Sequence, residues 1–189
     1  SPGVRCILGR VGGISVAAIV FDAENGVLLD ADNIAKITEF AEFASYYSLP
    51  FITFVDTLGV RADLETNNSL VLKAVFKLLE TYDLLENAKI AVVTGRAIGL
   101  GYTLFAAKSA GFDYTYAFAN AQIALFDGVK GAEIEFAGEA NADKQKLAAR
   151  YADENADPVN AAKNGYVDNI IEPQFVRQYL IASLQMLLK

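Results

Sequence analysis

The chain contains no histidine and no tryptophan, and only one cysteine, one methionine and four prolines in 189 residues. Without histidine there is no imidazole base, no histidine ligand for zinc and no histidine-containing triad. A single cysteine, Cys6, excludes an internal disulfide framework and leaves the reducing cytoplasm as the expected compartment. Positive charge is scarce too: 16 Lys and Arg against 23 Asp and Glu leave a net charge of -7. Nucleic acids and anionic membranes need a clustered basic surface, and the basic residues here are dispersed, which argues against both as partners. No apolar run reaches the roughly 18 residues of a membrane span. No group of residues has metal-ligand spacing, so no metal is expected. The opening SPGVRCILGR is not a signal peptide. It also lacks Met, so the chain reads as a processed product or an excised piece.

What is present describes one globular domain over residues 1–189, with 53% hydrophobic and 21% charged residues and no linker or internal repeat. Three nearly continuous apolar runs, SVAAIVF (15–21), PFITFVD (50–56) and KIAVVTG (89–95), read as strands buried on both faces. YTYAF (114–118) and QIALF (122–126) are shorter candidates. Between them lie helical patterns. Ile34, Ile37, Phe40, Ala41, Ala44 and Tyr47 share one face behind a cap at Asp32 or Asn33, and Leu70, Val71, Ala74, Val75, Leu78, Leu79 and Tyr82 share another. A third helix follows the glycines near residue 100 with Leu104, Phe105 and Ala107 inward. An Ala-rich helix is expected after Asn141, a short one after Pro158 and an amphipathic one over 173–188. The alternation predicts an α/β fold with a largely parallel sheet.

The stretch GRAIGLGYTLFAAKSAG (95–111) crowds Gly95, Gly99 and Gly101 where a buried strand gives way to a helix. It is not a P-loop, because Lys108-Ser109 falls seven residues after Gly101, inside the expected helix. It is not the dinucleotide fingerprint either, since Gly99-Leu100-Gly101 is followed at the next required position by Leu104. Two readings remain open. Small residues let a helix pack tightly on its strand. Alternatively, the unpaired N–H groups at the helix start form an oxyanion hole.

GRAIGLGYTLFAAKSAGFDYTYAFANAQIALFDGVKGAEI resembles a segment of biotin-dependent carboxyltransferases, the subunits of acyl-CoA carboxylases and related decarboxylases. LLDADNIAKITEFAEFASYYSLPFITFVDTLG is similar to the family's helix and strand leading to a VD-x-PG turn. DPVNAAKNGYVDNIIEPQFVRQYL resembles its ending. These segments run in the family's order over nearly the whole chain. The resemblance implies a crotonase/ClpP-like spiral of ββα units, matching the second, carboxybiotin-side half of a carboxyltransferase. The half that binds acyl-CoA is not in this chain.

The implied activity is carboxyl transfer between carboxybiotin on a carrier and an acyl-CoA, in either direction. In the family, carboxybiotin releases CO2, the biotin anion takes the α-proton, and the enolate attacks CO2. The cofactor is therefore biotin, acyl-CoA is the substrate and no metal is needed. Implied partners are an acyl-CoA-binding half, a biotin carboxyl carrier protein and further copies of the chain. A membrane enters only indirectly, through a decarboxylase complex.

Ala97-Ile98-Gly99-Leu100-Gly101-Tyr102 matches the family's A-Y-G-G-A-Y. This makes the N–H groups of Leu100 and Gly101 the donors to the biotin oxygen, with Gly99, Tyr102, Gly59, Phe126 and Gly128 around the pocket. Gly101→Pro is the donor deletion this suggests. The chain departs from the family at Leu100, a glycine there, at Leu58 to Asp63, which has lost both prolines and a glycine of the family's turn, and over Asn67 to Val75. Two rival classes stand beside this reading. One is a biotin-independent crotonase-fold enzyme with a carboxylate near the hole; the other is a non-catalytic half that scaffolds an assembly. Asp56 reads as a cap or turn residue, Lys77 as solvated, and Cys6 as part of a loose terminus.

Overall fold

The computed structural model describes residues 3–22, 26–61, 68–137 and 143–188. The first strands, β1 (Val4–Val11) and β2 (Ile14–Phe21), form an antiparallel hairpin with Val4 opposite Phe21 and Val11 opposite Ile14. Gly12 and Gly13, at φ +59° and +86°, supply the left-handed pair that a two-residue hairpin turn requires. The terminus expected to be loose is therefore an ordered edge strand. Within it, burial pushes the half-buried Cys6 thiol up, although Lys36 opposes the shift.

β3 (Val27–Leu29), α1 (Ala31–Tyr46), β4 (Phe51–Val60), α2 (Asn68–Leu84), β5 (Lys89–Ile98) and α3 (Leu100–Phe105) follow. Next come β6 (Tyr114–Ala117), β7 (Gln122–Ala124), α4 (Gly128–Glu135), α5 (Lys144–Asn155), α6 (Pro158–Lys163), β8 (Asn169–Ile170) and α7 (Val176–Leu187). The sheet runs β1-β2-β4-β5-β6-β8, with β3 added to β4 and β7 to β5. Every pairing after the first hairpin is parallel.

The apolar runs are buried on both faces for a visible reason. Ala17, Ile19, Phe51, Val55, Ala91 and Val93 pack with Ile34, Ile37 and Leu78 from α1 and α2. Their alternating neighbours Val16, Ala18, Ile52, Ile90 and Val92 pack with Leu180 and Leu184 of α7. The period of two along each strand thus feeds two cores. Helix starts are set by aspartates: the carboxylates of Asp30, Asp127, Asp143 and Asp157 accept N–H groups in the first turns of α1, α4, α5 and α6. The cap of α1 is thus Asp30, not Asp32 or Asn33. At the end of α2 the buried Lys89 Nζ donates to the carbonyls of Tyr82 (3.0 Å) and Leu85 (2.8 Å), satisfying groups the helix leaves open.

β4 and β5 run further than the sequence suggests, and each changes neighbour partway. β4 pairs with β2 through Phe54 and with β3 from Thr57; β5 pairs with β6 through Val93 and with β7 from Arg96. The change falls at a bulge. Val55 lies opposite Val93 and Thr57 opposite Ala97, so Asp56 alone faces Thr94, Gly95 and Arg96.

Candidate functional site

The three glycines crowded at 95, 99 and 101 hold three different things. Gly95 sits in the bulge, and a Cβ there would lie 2.5 Å from the Asp56 carboxylate carbon. That carboxylate accepts the Arg96 N–H at 2.9 Å and Arg96 Nε at 3.2 Å. Asp56 is therefore neither a helix cap nor a turn residue. It ties the bulge across two strands and commits its charge to Arg96.

Gly99 is the turn itself, with φ 53° and ψ -122°, a conformation that a side chain would strain. Its N–H donates to Ala124 O at 2.9 Å, and its carbonyl accepts Tyr102 and Thr103. Leu100 and Gly101 begin α3, and neither N–H meets an acceptor among the described residues. Leu100 is not at positive φ: Ser48 is the one described non-glycine residue there. A leucine at this position therefore leaves the backbone unstrained.

Gly101 is buried, and a Cβ on it would lie 2.5 Å from the Thr57 methyl carbon. Gly101→Pro would drive a ring carbon into that methyl, so it tests packing as much as donation. Gly59, at φ +98°, completes the arrangement: a Cβ there would stand 2.8 Å from Ile98 O and 4.0 Å from the Gly101 nitrogen. A bare backbone at 59 keeps the approach to Gly101 narrow but open.

A shallow cleft of about 140 Å³ opens over this turn, lined by Leu58, Gly59, Gly99, Leu100, Phe126 and Asp127 among others. Gly99 and Leu125 are shared with a second cleft of about 330 Å³, walled by Tyr102, Thr103, Asn160, Asn164 and Tyr166. The fold thus brings Gly59, Gly99, Leu100, Tyr102 and Phe126 to two adjoining clefts. Gly128 lines neither: a Cβ there would meet Ala148 O at 2.8 Å, so its smallness serves the packing of α4 on α5. Residues 62 and 63 of the altered turn, and residue 67 of the second altered stretch, lie outside the described residues; Leu58, Gly59 and Val60 end β4, and Arg61 N–H donates to Leu29 O.

Tyr102 Oη donates to Tyr166 O at 2.7 Å, and its ring meets Tyr166 edge-on at 6.0 Å. Burial first, then the nearby Tyr166 and Asp168, push the phenol up to about 12. It is a neutral donor throughout the physiological range. Because burial holds the folded value above the ordinary value of 10, the stability that depends on a neutral phenol here is complete below pH 10 and is lost as pH rises through about 12. Tyr102→Phe should delete a phenolate step near pH 12 from an absorbance titration of the native protein.

Three features of the site escaped the sequence. The bulge has no local signature, since its two strands are far apart in the chain. Thr57 fell just past the expected strand over 50–56 and carried no signal of its own. The helix behind the turn is only Leu100–Phe105, so Lys108 and Ser109 are not inside it. The Gly12-Gly13 hairpin, by contrast, carried a legible signal: two glycines between apolar runs.

The fold has counterparts among known proteins. The carboxyl transferase domain family matches residues 3–189. The carboxyltransferase subunit of propionyl-CoA carboxylase from Haloferax mediterranei is 33% identical over 187 residues, covering 95% of this chain and 36% of that protein. Methylmalonyl-CoA decarboxylase subunit alpha from Veillonella parvula is 31% identical over 159 residues, 84% of this chain and 31% of the relative. Among solved structures, the transcarboxylase 12S hexamer with methylmalonyl-coenzyme A bound superposes with a TM-score of 0.91 at 26% identity, over 99% of this chain and 37% of its own. The architecture is therefore the expected crotonase-like one, and the chain spans about a third of the length of these relatives. By sequence over nearly its full length, and by fold, it belongs to the carboxyl transferase domain family.

Proposed function

We propose that this chain is the carboxybiotin-side half of a biotin-dependent carboxyltransferase, acting with an acyl-CoA-binding half and a biotin carrier protein. The observation that carries it is the pair of N–H groups at Leu100 and Gly101, which find no acceptor among the described residues; Leu100 lines an open cleft, and the buried Gly101 follows it in the first turn of α3. Biotin fits this turn in kind: its ureido oxygen is an acceptor, and the backbone offers donors in a space that Gly59 leaves clear. When bound, carboxybiotin supplies the carboxyl group and, once decarboxylated, a basic ureido group.

The residues of this chain then have limited tasks. Leu100 and Gly101 N–H stabilise negative charge on the oxygen they hold, with donors fixed before reaction rather than reorganised during it. Leu100, Leu125 and Phe126 form an apolar rim that excludes water when a partner closes over it. No proton is transferred by a side chain here. The Asp127 carboxylate, which lines the shallow cleft, accepts the N–H groups of Val129 and Lys130 on Oδ1 and has Lys130 Nζ 3.8 Å from Oδ2, so it serves the start of α4. That disfavours a hydratase or isomerase, which would use such a carboxylate as its base.

Self-association is supported by exposed aromatic and aliphatic side chains on α1 and α2: Tyr46 is 82% exposed and Phe76 68%. The test is biotin-stimulated decarboxylation of malonyl-CoA or methylmalonyl-CoA, with the chain alone and with an acyl-CoA half added. Turnover requiring both biotin and the added half is expected. A stable complex of the halves without turnover would overturn the enzymatic reading in favour of a scaffold.

A further inference from the structure

Beneath the donor pair lies a contact that none of the candidate residues explains. Thr57 is fully buried at the point where β4 changes neighbour, and its side chain faces three backbones at once. Its Oγ1 donates to Val27 O at 2.6 Å and accepts the Gly59 N–H at 3.1 Å. Its methyl occupies the space where Gly101 has no Cβ; the next neighbours of such a Cβ, Gly59 Cα and N, stand at 3.4 Å. One side chain thus fixes the wall of the cleft through Gly59 and supports the second donor through Gly101.

The geometry points to Thr57 as the positioning residue of the Gly101 N–H, through an exchange of one methyl group between positions 57 and 101. This rests on the carboxybiotin-side reading for its catalytic meaning, though not for the contact itself. The space that a methyl on residue 101 would fill is taken by a methyl from the strand below. Helix α3 is too short to hold its own start in place, so its first turn takes its position from what it rests on. A misplacement of about 1 Å in a catalytic donor can cost roughly 10²-fold in rate, which gives such a contact its consequence.

The exchange is tested by a double-mutant cycle of Gly101→Ala and Thr57→Ser. Serine keeps both hydroxyl bonds and removes only the methyl. Gly101→Ala alone should lower the melting temperature, or prevent folding, whereas in the Thr57→Ser background most of that loss should disappear. Thr57→Ser alone should shift the amide resonance of Gly101 and speed its exchange with solvent, leaving distant amides in place. With the acyl-CoA half added, it should lower kcat about tenfold with KM for acyl-CoA unchanged, and Thr57→Ser with Gly101→Ala should recover most of that kcat.

An equal cost of Gly101→Ala in both backgrounds, with an unmoved Gly101 amide, would overturn the exchange. Normal kcat in Thr57→Ser with a shifted amide would overturn its catalytic consequence. Absence of turnover in the unmodified chain with biotin and the acyl-CoA half added would overturn the carboxyltransferase reading instead, and the melting and amide measurements would still decide the contact.

Discussion

Replacing Leu100 with proline should reduce kcat for biotin-stimulated decarboxylation by about 10²–10³, with little change in KM for acyl-CoA. Proline removes one N–H, and the first position of a helix is where that loss costs the fold least, since the group has no intrahelical acceptor. Leu100 occupies that position, and its side chain is 42% exposed, so the ring meets no packed neighbour comparable to Thr57 beneath Gly101. Leu100→Ala is the reference for the comparison: it trims the same side chain and keeps the donor. Steady-state kinetics of the two variants, with melting curves to show that both fold, isolate the contribution of the N–H. Equal kcat in the two would remove this donor from the mechanism.

Phe105→Ala should lower stability by about 3–5 kcal/mol, read as a fall in the urea midpoint with an unchanged slope. The side chain is fully buried and meets Phe21 edge-on at 4.9 Å, while the Phe105 carbonyl accepts Thr53 Oγ1 at 2.6 Å. A six-residue helix cannot persist on its own hydrogen bonds, so α3 stays where Leu104 and Phe105 anchor it. The same substitution should therefore reduce activity in the fraction that remains folded, because the anchored helix carries the donor pair at its other end. A loss below about 1 kcal/mol would mean that the surrounding core collapses to fill the space, and that the turn is held by β5 alone.

Much of this molecule could be read from local pattern. The runs at Ser15, Phe51 and Lys89 announced buried strands because side chains on both faces were apolar, and both faces are covered. The periodic stripes of Ile34, Ile37 and Ala41, and of Val71, Val75 and Leu78, marked helices for the same reason: each needs one face against the sheet. Gly99 was legible as a turn because only glycine sits comfortably at its φ. Other elements were hidden by the limits of such signals. β3 and β8 have three and two residues, too few to show a period. α4 begins at Gly128 and exposes Val129 and Ile134, so its apolar residues do not trace a buried stripe.

By itself, the sequence determined the class of chemistry open to this protein. A chain with no histidine and one cysteine has no imidazole base and no histidine-containing triad, and its glycines stood where backbone donors would be exposed. Only the tertiary structure decided what each glycine is for. Gly95 admits the carboxylate of Asp56, Gly101 admits the methyl of Thr57, Gly59 stands against Ile98, and Gly128 serves a helix contact remote from the site. These partners are separated by many residues in the chain and meet only once the strands are paired. Which atoms come into van der Waals contact depends on register and on a bulge, and neither is written in the residues on one side of the contact.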